Sequence, residues 1–66
     1  MNIKTFIKST PKTERQRIAV LAGTTDAYFS QLAGGHRKPS LALAKRIEEA
    51  SGKLITRQEL LPEAFE

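Results

Sequence analysis

Residues 15–40 read RQRIAVLAGTTDAYFSQLAGGHRKPS, and this stretch decides the fold. Apolar Ile18, Leu21 and Ala22 recur with a helical period, and small Ala19 stands where a second helix can cross closely. Gly23 stops that helix, because glycine accepts the left-handed backbone that commonly ends one. Thr24 or Thr25 then offers its hydroxyl to a free amide of the next helix as an N-cap. In that next helix, about residues 25–33, Phe29 and Leu32 share one face while Tyr28, Ser30 and Gln31 point elsewhere. Two short helices joined by a turn of about three to four residues make a helix-turn-helix unit, here about residues 13–33. Gly34-Gly35 ends the second helix, and His36-Arg37-Lys38 follows as the densest basic run of the chain.

Outward from this unit the pattern stays helical. Residues 2–9 place Ile3, Phe6 and Ile7 on one face and Lys4 and Lys8 on the other. Pro11 closes that helix, since the residue before a proline is biased away from helix. The next helix is expected to start near Thr13, with Glu14 at its positive end. Ser40 is a credible N-cap for a fourth helix to about Ser51, with Gly52 as its stop. There Leu41, Leu43, Ala44 and Ile47 are expected to close the core, and Lys45 and Glu49 to pair at i, i+4.

The tail, residues 53–66, admits two readings. Leu54-Ile55-Thr56 suits a short strand, whereas Thr56-Arg57-Gln58-Glu59 has capping-box spacing and would start one turn of helix through Leu60 and Leu61 before Pro62. Leu60, Leu61 and Phe65 either close the core or form a dimer or partner contact. The expected fold is therefore all-α, a single domain over residues 1–66 with four to five helices, the short C-terminal extended segment remaining open.

Composition bounds the function. The 66 residues suffice for one small core. No cysteine is present, so neither a disulfide framework nor a thiolate metal site is available. No apolar run approaches a membrane span, and MNIKTFIKST has no continuous apolar segment of the signal-peptide kind, so a cytoplasmic location is expected. The seven carboxylates and one histidine offer no nucleophile–base pair, metal cluster or phosphate-cradling loop at the required spacing. The expectation is no enzyme, no catalytic or metal-binding residue and no cofactor. The net charge of +4 is uneven. Residues 1–40 carry seven Lys or Arg against two acids, whereas residues 41–66 carry four against five. Such a concentration of cations is the footprint of a polyanion binder.

Taken together, residues 15–40 resemble the helix-turn-helix of the phage Cro and lambda-repressor-like DNA-binding regulators. That pattern has an aliphatic residue followed by Ala, a Gly four positions after the Ala, and an apolar residue six after the Gly. Ile18, Ala19, Gly23 and Phe29 satisfy it, Leu32 fills the next apolar position, and Gly35-His36-Arg37-Lys38-Pro39-Ser40 matches a basic loop common in the family. The ending T-R-Q-E-L-L-P-E-A-F resembles the YdaS-like antitoxin subgroup, with Leu61 where that subgroup frequently has Arg.

The resemblance implies a regulator, most simply a Cro-like repressor, that reads double-stranded operator DNA with the helix at about residues 25–33. Base readout would fall to Thr25, Asp26, Ala27, Tyr28, Ser30 and Gln31. Gln31 can bond an adenine edge and Ala27 can touch a thymine methyl. Asp26 reads more simply as a first-turn acid. Tyr28 fits either a phosphate contact or the edge of the core. Phosphate contacts would come from Arg15, Gln16, Thr24, His36, Arg37 and Lys38, although the family often has Gln at the position Arg15 occupies. A homodimer on a palindromic operator, formed on DNA, is the implied assembly. The rival reading is an antitoxin-type module that holds a toxin protein through Leu60, Leu61 and Phe65.

Overall fold

Four of the five described helices begin where a side chain takes up a free amide. In the computed structural model, which describes residues 1–65, Asn2 accepts from the Thr5 amide at 2.8 Å and opens α1 (Ile3–Ser9). Helix α2 (Lys12–Leu21) starts directly behind Pro11, whose fixed φ suits the entry to a helix. Thr25 caps α3 (Asp26–Ala33) by accepting from the Tyr28 amide, and Ser40 caps α4 (Leu41–Ala50) by accepting from Leu43. The capping box is formed at α5 (Arg57–Leu60): Thr56 accepts from the Glu59 amide at 3.2 Å, and Glu59 accepts from the Thr56 amide at 3.0 Å. No strand occurs among the described residues, so the architecture is all-α.

The turn within the helix-turn-helix unit is made by a specific backbone motif. Gly23, at φ +79°, donates to the Val20 carbonyl, and Thr24 donates back to Ala19 at 2.8 Å. This is the Schellman pattern, which satisfies two carbonyls that α2 would otherwise leave open. Gly35 ends α3 in the same way, whereas Gly34 has the ordinary helical φ of −80°. The helix stop expected from the glycine pair is therefore the work of Gly35 alone. At Gly34 the missing Cβ matters for a different reason: one added there would lie 2.8 Å from the His36 ring.

The core joins Phe6 of α1, Ile18 and Ala19 of α2, Ala22, Phe29 of α3, Ile47 of α4 and Ile55. Phe6 and Phe29 meet edge to face, with ring centroids 5.8 Å apart and planes at 84°. Two residues of the apolar helical patterns lie outside it. Leu21 is 61% exposed. Ile18, Ala19 and Ala22 set the buried arc of α2, and Leu21 lies about 100° away from its centre at about 3.6 residues per turn. Leu41 shares the angular face of Ala44 and Ile47 but is the first residue of α4, and it remains exposed.

The tail packs inward. Two successive left-handed residues, Gly52 and Lys53, turn the chain after α4 and bring Ile55 into full burial. The Ile55 amide donates to the Ser51 hydroxyl at 3.2 Å, so Leu54-Ile55-Thr56 is a turn held to the end of α4 rather than the strand considered above. Leu61 is only 8% exposed, and Leu60 packs against the core. Phe65 is half-buried beneath the Arg57 guanidinium, 5.7 Å from its ring centroid.

A buried acid fastens this tail. Glu48 accepts from the Arg57 amide at 3.1 Å and from Arg57 Nε at 2.8 Å, giving α5 an acceptor outside its own capping box. The expected Lys45–Glu49 pair does not form; among the described residues the ion pair that α4 makes is Glu48 with Arg57. The Arg57 backbone bond, and then its side chain, holds the Glu48 carboxyl below the ordinary glutamate value of 4.5. Glu59 is lowered as well, first by its bond from the Thr56 amide. A carboxylate with a depressed folded pKa adds stability above its unfolded value and loses that contribution as pH falls through its folded value. The thermal midpoint should therefore hold from neutral pH down to about 4.5 and decline below it. Glu48→Gln should lower the neutral-pH midpoint and flatten the acid decline, both readable by circular dichroism melts across pH. An acid limb identical to that of the unmodified chain would rule Glu48 out as a contributor.

Candidate nucleic-acid interface

Helix α3 has two unlike faces, and the difference follows from spacing. At 100° per residue, Phe29, Leu32 and Ala33 turn toward the protein, while Ala27, Ser30 and Gln31 fall together on the opposite side. Phe29 is fully buried, whereas Ala27, Ser30 and Gln31 are exposed. Ser30 and Gln31 make no side-chain hydrogen bond to any described residue, so their donors and acceptors face solvent. The helix flanks are occupied differently. Tyr28 is half-buried, and its hydroxyl donates to the Lys38 carbonyl at 3.4 Å. Asp26 turns to the other flank, toward α2.

There the arrangement departs from expectation. Arg15 Nε donates to Asp26 Oδ1 at 2.9 Å, and Nη2 lies 3.4 Å from Oδ2. Nη1 donates to the carbonyls of Ile7 and Thr10 at 3.0 and 2.8 Å. One guanidinium thus satisfies carbonyls at the end of α1 and pairs with the first-turn acid of α3. Both side chains are mostly buried, 18% and 16% exposed. In the free protein the Arg15 guanidinium and the Asp26 carboxylate are thus engaged with each other. The cause is tertiary, since the pair forms only because α1, α2 and α3 converge at this corner.

Between α2 and the start of α3 lies an open groove. Gln16, Thr24, Thr25 and Ala27 line it together with Lys12 and Val20. Sequence reasoning passed over Lys12 and Val20, although they stand four residues on either side of Gln16 and hence on its helix face. Val20 is 74% exposed. The basic loop lies beyond the other end of α3, where His36, Arg37 and Lys38 are all exposed. Lys38 forms an ion pair with Glu63 at 3.0 Å, and Arg17 pairs with Glu14. Arg37 and Lys12 have no ion-pair partner among the described residues.

One further cation was not anticipated. Arg46 of α4 donates from Nε to the Ala22 carbonyl at 3.0 Å and so ties α4 to the exit of α2, beside the Gly23 turn.

No protein-family model matches the chain. The chain is 29% identical over 63 residues to a protein of Escherichia coli (strain K12) described as a prophage transcriptional regulatory protein, and the alignment covers 96% of each chain. No described helix is long and apolar enough to cross a membrane.

Proposed function

We propose that this protein is a sequence-specific DNA-binding transcriptional regulator that lays α3 in the major groove of an operator. The observation that carries the reading is the exposed, partner-free side of α3, Ala27, Ser30 and Gln31, backed by a rigidly packed opposite side. An α-helix with its side chains is about 10–12 Å across, which fits the major groove, about 12 Å wide. The open groove at one end of α3 and the basic loop at the other lie where phosphates flanking such a helix would pass. The description of the similar Escherichia coli protein as a transcriptional regulator supports the same reading.

In this reading Gln31, Ser30, Ala27 and Thr25 read bases, with Tyr28 at the edge. Gln16, Thr24, His36 and Arg37 meet the backbone, joined by Lys12 and, once released from Glu63, Lys38. Arg15 and Asp26 support the helix from within. Repression would follow from occupying a promoter, in the manner of Cro, in the cytoplasm of a bacterial or phage-infected cell. Two copies on a palindromic operator, with half-sites about 34–36 Å apart, fit a helix that reads only a few base pairs. The antitoxin-type reading stays second, because Leu60, Leu61 and Phe65 pack within the chain and offer a toxin no exposed apolar strip.

A gel-shift titration with the DNA upstream of its own gene, at two salt concentrations, tests the proposal. Gln31→Ala should weaken the cognate operator by about 1–3 kcal/mol and relax one base preference. Arg37→Ala should weaken all DNA alike and reduce the salt slope by about one phosphate equivalent. Equal binding to every sequence by the unmodified protein would sink specific readout, and no binding at all would favour a protein partner.

A further inference from the structure

Among the described residues, the one ion pair that links the basic loop to the tail joins residues 25 apart in sequence, Lys38 and Glu63. Its two ends are held by independent contacts. The Lys38 backbone is met by the Tyr28 hydroxyl, and Pro39 beside it is buried. On the other side, Leu61 is buried, the Ala64 amide donates to the Leu61 carbonyl at 3.1 Å, and Arg57 lies over Phe65. The side chains themselves remain 78% and 52% exposed, so water and other anions reach both. The carboxyl of Glu63 is held below the ordinary glutamate range, chiefly by its bond from Lys38, and stays ionised at neutral pH. Arg37, one residue away on the same exposed loop, has no such partner among the described residues.

We propose that Glu63 masks Lys38 in the free protein, so that the C-terminal segment competes with a DNA phosphate for this cation. The inference rests on the DNA-binding reading above and adds a positioning residue to it. An exposed pair of this kind is weak, which is what an exchangeable mask requires: a phosphate can displace Glu63 at small cost. Binding then trades one anion for another at Lys38, whereas Arg37 meets the backbone unopposed. The two neighbouring cations consequently contribute unequally, and the difference is set by a residue outside the helix-turn-helix unit.

The test is a double-mutant cycle on the full chain, titrated into a mixed-sequence DNA duplex over a range of salt. In the unmodified background, Lys38→Ala should weaken binding less than Arg37→Ala. Glu63→Gln should tighten binding roughly two- to fivefold, the range expected for an exposed pair, and steepen the salt slope by up to about 0.9. In that background Lys38→Ala should become as damaging as Arg37→Ala. If Lys38→Ala costs the same factor with and without Glu63, Glu63 acts only as a distant repulsive charge and the mask is refuted while the DNA reading stands. If the unmodified chain shows no salt-sensitive DNA binding, both fall together. A lowered thermal midpoint in Glu63→Gln, accompanied by weaker binding, would assign Glu63 to the fold and also overturn the proposal.

Discussion

Phe29→Ala is expected to remove about half or more of the chain's folding stability. Phe29 is fully buried, sits at the centre of α3 and meets Phe6 edge to face. Truncating a buried phenylalanine costs about 3–5 kcal/mol, part of it lost transfer energy and part the cavity left behind. A domain of this length is stabilised by only about 3–10 kcal/mol in total. The cavity would open between α1 and α3 in a core with few side chains to relax into it. Far-ultraviolet circular dichroism with urea titration reads the outcome directly. Phe29→Leu, which keeps most of the volume, should cost much less and preserve a cooperative transition. A cooperative melt of Phe29→Ala close to that of the unmodified chain would mean that the Phe6–Phe29 contact is not central to the core.

The second large effect is expected at Asp26. Were Asp26 a base-reading side chain, removing it would leave stability unchanged and alter only DNA preference. Its mostly buried pair with Arg15 predicts otherwise. Asp26→Ala should lower stability by about 2–3 kcal/mol, less than the loss of a partner in a fully buried pair because Arg15 keeps the Ile7 and Thr10 carbonyls. The effects of Asp26→Ala and Arg15→Ala should be strongly non-additive, since both break one network. A urea-unfolding cycle of the two single variants and the double variant measures that coupling. DNA binding by Asp26→Ala, examined where the protein is still folded, should weaken without a change in base preference. A stable variant with altered base preference would return Asp26 to the reading face.

Asp26 also illustrates what in this protein was legible from sequence. Its alternative role as a first-turn acid was available from its position behind Thr25, and the charge does stand at the start of α3. The identity of its partner was not available, because Arg15 lies 11 residues away on another helix. The same limit hid Arg46 on the Ala22 carbonyl, 24 residues away, and Glu48 on Arg57, 9 residues away. A charged residue on a helix pattern defaults to solvent, and only the crossing of helices turns Glu48 inward. The tail carried the opposite ambiguity. Its apolar side chains could have faced inward or outward, and the left-handed turn at Gly52 and Lys53 sends Ile55 and Leu61 into the core.

The reading side of α3 was legible as a set of positions, since helical spacing puts Ala27, Ser30 and Gln31 opposite Phe29. The supporting residues around it were not. By itself, the sequence marked the caps at Ser40 and Thr56, narrowed that of α3 to Thr24 or Thr25, and marked the glycine stops after α2, α3 and α4. Those features rest on caps and Schellman turns whose hydrogen bonds span at most five residues, so the local residue types suffice to specify them. Tertiary structure alone decided which cations are free to meet a polyanion. Arg15, Arg17, Lys38 and Arg57 look alike in a list of charges, yet each is paired with an acid. For all but Arg17 that acid lies beyond the same helix, and proximity between separate elements is created by packing, not by local pattern. Arg37 and Lys12 remain without an ion-pair partner among the described residues, one on the loop beyond α3 and one in the groove at its start.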